Sequence, residues 1–287
     1  MMKALILTGL ALALTANAQN LAPPARSSSS AAALDLQVRG RQIVDDAIQA
    51  LGGDKFLTVQ NRVESGRAYS FFNDSVSGLS VAKFYTRYVP ADKPGEQLAQ
   101  QERQGLGKDE FYYNILREEG GWEVTFRGPK RIEKDQVGRH HESTLHNIFY
   151  ILRNRLHEPG LIFESKGGEI VDNMPVNMVD VIDAQNRVVT VAFHQSTKLP
   201  VQQTWLWRDV KTRERNEEVT RFSRYRDVAG TQWPFQMHRE RNGSKIYEMF
   251  ADNVVINQNL SEDLFAIPDD TARPSQGPQI KKEKKKK

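Results

Sequence analysis

From Val63 onward the chain alternates apolar and polar residues with a period of two, and short turn-forming phrases cut the alternating runs. Aromatic and β-branched residues dominate 63–72 and 79–89, with Asn73-Asp74-Ser75 and Ser77-Gly78 between them, the pattern of paired strands. Polar 97–104 reads as a strand with a wet face, and further alternating runs occupy 111–116 and 121–127, then 161–166, 169–171, 176–183, 188–194, 201–207, 218–226, 234–241 and 245–255. Asp183-Ala184-Gln185-Asn186, Ala229-Gly230 and Asn242-Gly243 supply reversals. A meandering sheet of roughly 11 antiparallel strands is too large to stay flat and curls into a barrel or half-open barrel.

Two segments leave this period. Leu36, Ile43, Val44, Ala47, Ile48 and Leu51 fall on one face of a helix that Gly52-Gly53 ends. Val137, His141, Leu145, Ile148, Leu152 and Leu156 recur at spacings of three and four. They predict a second helix over 134–157, widened on its apolar side by Phe149 and Ile151 and stopped by Pro159-Gly160. The expected fold class is therefore mainly β: a half-open antiparallel β-barrel whose apolar concave face is covered by two amphipathic helices.

Lys3, the apolar run 4–16 and Ala16-Asn17-Ala18 form a secretory signal peptide over 1–18, with cleavage expected near Ala18/Gln19. The run falls short of the roughly 20 residues that span a bilayer. Residues 19–33, rich in Ala, Pro and Ser, read as a flexible leader, and 34–270 as one half-barrel domain. With no cysteine there is no disulfide, no thiolate chemistry and no lipid-modified cysteine. The expected product is a periplasmic monomer that is not lipid-anchored.

The formal charge of +4 misleads: Lys3 leaves with the signal, and 281–287 carry six lysines against Glu283, so the body is close to −2. A near-neutral body lacks the basic stripe of a nucleic-acid binder. The lysine-rich tail 271–287 reads as a solvated end whose lysines are able to touch anionic lipid, at about 1 kcal/mol each.

Catalytic constellations are weak. Glu142 and His146 share a helix face at i, i+4, as metal ligands do, but no H-e-x-x-H pattern or further carboxylate joins them, so no metal site is expected. His141 falls on the apolar side of that helix, His140 and His146 on the solvated side. No G-x-S-x-G elbow, P-loop or G-x-G-x-x-G is present. Asp45-Asp46, Glu118-Glu119 and Glu217-Glu218 are sequence neighbours that point apart in regular structure. Neither an enzyme nor a cofactor is expected. The candidate lining for a hydrophobic ligand is Phe84, Tyr112, Trp122, Phe126, Phe149, Trp205 and Phe235, with Leu145, Ile148 and Leu152 as the inner stripe of the helix. Apolar strand residues are more often core than cavity wall. Trp205 and Trp207 share a face: on the concave side they grip an acyl chain, on the convex side they mark a partner surface.

Three phrases carry a family resemblance: Phe193-His194-Gln195-Ser196-Thr197-Lys198-Leu199-Pro200-Val201, Tyr225-Arg226-Asp227-Val228-Ala229-Gly230-Thr231-Gln232-Trp233-Pro234, and Val254-Val255-Ile256-Asn257 followed by Leu264-Phe265-Ala266-Ile267-Pro268. They resemble the LolA/LolB-like outer-membrane lipoprotein-sorting family over 187–268; over 36–127 the likeness is one of layout, and 127–176 has no alignable motif. The resemblance implies a half-barrel around a helix-lidded apolar cavity. It implies a carrier that holds the acyl chains of lipoproteins or other lipids and moves them toward the outer membrane without catalysis, between inner- and outer-membrane partners. LolB is anchored through a cysteine, so the cysteine-free chain resembles the soluble LolA-like members. Arg87 is nearest in position to the arginine that closes the lid in those carriers. RseB-type sensors share this fold and imply the alternative, a regulatory module that senses lipid or lipoprotein.

Overall fold

The structure, a computed structural model, describes residues 27–209 and 212–267. The signal peptide and the lysine-rich tail lie outside the described residues, as does the leader before Ser27. The first meander is β1 (Asn61–Phe72), β2 (Ser75–Tyr88), β3 (Gln100–Leu106), β4 (Tyr112–Arg117), β5 (Gly120–Thr125) and β6 (Gly128–Arg131). The second is β7 (Ile162–Val171), β8 (Met174–Ile182), β9 (Val188–His194), β10 (Pro200–Arg208), β11 (Arg215–Val228), β12 (Thr231–Arg241) and β13 (Ser244–Ile256).

Sequence neighbours pair within each meander, and β1 against β13 joins the meanders into one sheet ordered β6-β5-β4-β3-β2-β1-β13-β12-β11-β10-β9-β8-β7. Val63 stands opposite Val255 on one side and Tyr85 on the other. The sheet has 13 strands rather than roughly 11. Gly128-Pro129-Lys130-Arg131 lack apolar alternation and still pair as β6. The runs 161–166 and 169–171 are one strand, because a bulge at Ser165/Gly167 absorbs the interruption.

This topology explains why helices cover the concave side. The segment between β6 and β7 must carry the chain from one edge of the sheet to the other, and the route lies across the curl. The helix expected over 134–157 is broken. It forms α3 (Lys134–Leu145), then a short helical turn at Ile148–Tyr150 that continues as a π-helical turn, Ile151–Arg155. Asn147 makes the break: it is extended (φ −74°, ψ 123°), and its side chain accepts from the backbone N–H of Phe149 at 2.9 Å and Tyr150 at 3.3 Å. The apolar spacing survives on both sides, so periodicity alone did not show it.

The other covering helix, α1 (Ser27–Leu51), which the short α2 (Asp54–Leu57) follows, begins inside the stretch read as a flexible leader, whose alanines are strong helix formers. Leu36, placed on its buried face, is exposed, because docking on the sheet begins at Gly40. A Cβ at Gly40 would stand 2.4 Å from the carbonyl oxygen of Phe163 on β7, so only glycine lets helix and strand backbones approach.

Val44, Ala47, Ile48 and Leu51 of α1 and Ile148, Phe149, Leu152 and Leu156 of the crossover pack into one cluster with Phe163, Val179, Val191, Phe193, Phe222, Trp233 and Phe235 of the sheet. A buried ion network pins the crossover. Arg155 donates to Glu158 at 2.6 Å, to the Leu145 carbonyl at 2.7 Å and to Asp183 at 2.8 Å, while Arg187 donates to Asp183 at 2.7 Å. On the convex side the turn Glu262–Leu264 brings Leu264 and Phe265 onto Val63 and Tyr85.

Candidate functional site

Under α3 the concave face is not filled. Two adjacent spaces share His140, Ser143 and Arg239 in their walls: a chamber of about 320 Å³ over β1–β3, β12 and β13, and a half-open cleft of about 1200 Å³ over β9–β12. Neither space is the dry apolar cavity that was expected. α1 and the crossover occupy the apolar part of the curl, and what remains open has mixed walls.

The chamber is lined by polar side chains at the inward positions of β1–β3. Arg62 donates to Tyr88 at 3.3 Å and Thr86 at 3.2 Å, lies 3.4 Å from Glu64, and stacks 4.1 Å over the Trp233 ring. Burial pushes the carboxyl of Glu64 above the usual range, against Arg62 and a hydrogen bond from Trp233, which pull it down. Gln100, Glu102 and Gln104 continue the polar wall, and Phe84, Met237 and Met249 supply its apolar part.

The cleft has an aromatic floor. Trp205 and Trp207 both face inward, their rings stacked at 6.4 Å, and His146 stacks on Trp205 at 4.2 Å and 18°. Beside them lie Glu218, Arg239 and Arg241, and Arg239 ties the helix to the sheet by donating to Ser143 at 2.9 Å. His146, expected to be solvated, is buried because the chain turns at Asn147 and folds it back onto Trp205. Burial lowers its pKa more than the Glu142 carbonyl and carboxylate raise it. A base with a lowered folded pKa stabilises above its unfolded value, about 6.5, and loses that contribution as pH falls from there toward the folded value. Tryptophan emission is therefore expected to change as pH drops below about 6.5 and to lose that transition in His146→Gln. A transition that persists unchanged in the variant would contradict this placement.

The structure disperses the expected lining. Trp205 lines the cleft and Phe84 the chamber. Ile148, Phe149, Leu152 and Phe235 are packed in the main cluster, Phe149 with one side on the chamber, and Leu145 packs against Leu98, Ala99 and Tyr150. Trp122 pairs with Ile115, while α3 rests on the alternate residues Leu116 and Gly121, so Trp122 faces away from the helix. Phe126 is 65% exposed and meets Tyr112 edge-on at 6.4 Å on the outer rim. Arg87 does not reach α3: it donates to Gln101 at 2.7 Å, pairs with Glu262 and sits 4.5 Å over Phe265 on the convex side. Alternation along β2 puts Thr86 and Tyr88 inward and Arg87 outward. Arg239 and Arg241 were missed, although they continue the inward register Trp233, Phe235, Met237 at period two.

No family model matches the chain, and no curated protein matches it. Among solved structures, a DUF1329 family protein from Desulfovibrio piger superposes with a TM-score of 0.54 at 14% identity, over 79% of this chain and 96% of that one. A domain assigned to outer membrane lipoprotein sorting from Vibrio parahaemolyticus gives 0.51 at 10% identity, over 79% and 97%. A LolA superfamily protein from Nitrosomonas europaea gives 0.47 at 9% identity, over 79% and 97%. The chain shares the fold of the first two, a half-open curl of antiparallel strands with helices on its concave side.

Proposed function

We propose that the chain is a non-catalytic binding module of the bacterial envelope that takes the acyl chain of a lipoprotein or another lipid into the cleft under α3. The observation that carries the reading is the inward aromatic floor, Trp205 stacked on Trp207 and capped by His146, opening into about 1200 Å³ of unfilled space. Each buried methylene contributes about 0.8 kcal/mol, so eight of them contribute on the order of 6 kcal/mol, a dissociation constant of tens of micromolar. Affinity of that order suits reversible loading, in which differences among donor, carrier and acceptor set the direction of transfer. The signal-like N-terminus supports a periplasmic location, and movement of cargo toward the outer membrane is the step the module would serve.

Extraction of lipid from protein purified out of the envelope fraction, followed by mass spectrometry, tests this reading. Stoichiometric acyl-bearing lipid is the expected result. Lipid-free protein that also leaves a fluorescent acyl probe unbound would overturn it.

A further inference from the structure

We propose that the cleft under α3 selects amphiphiles with an anionic head group, carboxylate or phosphate, and that Arg241 recognises it. The proposal rests on the reading of the cleft as an acyl-binding site and adds the chemistry of the head.

Register places Trp205, Glu218 and Arg241 in one row across β10, β11 and β12. Glu218 is buried and faces two guanidiniums, pairing with Arg239 and accepting from Arg241 at 3.3 Å. One carboxylate between two arginines leaves a positive charge on the floor. Arg239 is engaged twice, by Glu218 and by Ser143. Arg241 has one long hydrogen bond, and its side chain is 39% exposed where it lines the cleft. The Trp207 ring lies 5.5 Å from the Arg241 guanidinium.

A guanidinium only donates, so the group that completes Arg241 must accept. The uncompensated guanidinium favours an acceptor with negative charge, because a charge-assisted hydrogen bond is about twice as strong as a neutral one. The rim does not decide the sign, since Lys134, Arg139 and Arg208 are interleaved there with Asp135, Glu142 and Asp209. The floor does: aromatic wall for the chain, a part-exposed guanidinium for the head.

The test is a titration of the full chain with dodecanoate, dodecyl phosphate and methyl dodecanoate below their aggregation limits, read by tryptophan fluorescence and calorimetry. At least one anionic probe is expected to bind about tenfold more tightly than the ester, with the preference weakening as salt rises. Which anion wins distinguishes a fatty-acid head from a phosphate head. R241Q is expected to abolish the preference, bringing the anionic probes to the affinity of the ester measured on the same variant, and R241K to restore part of it. Equal affinity for ester and anions, or a preference that survives R241Q, would overturn the proposal and leave the acyl reading standing. If no probe binds, ester included, the acyl reading falls with it.

Discussion

Leu152→Ala is expected to lower the free energy of unfolding by about 2–5 kcal/mol and to leave acyl-probe affinity unchanged. Leu152 lies in the π-helical turn of the crossover, is fully buried, and belongs to the cluster that joins α1, the crossover and the sheet. Deleting its branched end removes transfer free energy and leaves a cavity that the surrounding strands close only in part. In a domain of this size each kcal/mol moves the melting temperature by about 2–4 °C, so a shift of roughly 10 °C is expected. Thermal unfolding and probe titration on the same variant decide between core and ligand wall. A small stability loss together with lost probe binding would make Leu152 a wall residue and return the apolar cavity to the concave centre.

The second large effect is expected at Arg155, where truncation to alanine should cost toward the low end of about 3–5 kcal/mol, because it takes the partner from half-buried Glu158 and leaves buried Asp183 with Arg187 as its one remaining arginine. Side-chain exposure is 2% for Arg155 and 3% for Asp183, unlike the helical pairs Asp35–Arg39 and Arg41–Asp45 on the surface of α1. Such exposed pairs contribute about 0–1 kcal/mol. Burial alone would raise the Asp183 carboxyl, but hydrogen bonds from Arg155 and Arg187 outweigh it and hold the group below the usual range. A carboxyl with a lowered folded pKa stabilises above its unfolded value, about 3.9, and that contribution fades as pH falls through the folded pKa. Urea unfolding of wild type and Arg155→Ala should therefore show a wide gap at pH 7 that narrows below about pH 4. A gap under about 1 kcal/mol at pH 7 would place the network among surface pairs.

Most of the sheet was legible because period-two alternation and turn chemistry are local signals. Asn242-Gly243 and Ala229-Gly230 mark reversals between β12, β13 and β11 where the structure has them. β6 was invisible because Gly-Pro-Lys-Arg carries no apolar face; it forms because β5 offers an edge to pair with. The pairing of β1 with β13 joins residues separated by about two thirds of the chain, and no local pattern encodes it. The break at Asn147 had a visible signal, an N-cap residue inside an apolar stripe, which the surrounding spacing masked. The site was harder. Alternation tells which residues share a face but not which face is concave, so Trp122 and Phe126 were grouped with Trp205 although they point elsewhere. The more informative pattern was the inward register of β12 changing from Trp233, Phe235 and Met237 to Arg239 and Arg241, because charge is placed on an inward face only where it has a partner or a ligand.

The central claim is that the concave face is divided, with α1 and the crossover as packed core and the space under α3 as the acyl site. Photolabelling with a twelve-carbon fatty acid bearing a diazirine near its methyl end, mapped by peptide mass spectrometry, tests it most directly. Labels are expected on α3 and β10, at Trp205, Trp207 and the residues around His146. Labels concentrated on Leu152 and on Val44, Ala47 and Leu51 of α1, or no label at all, would contradict it.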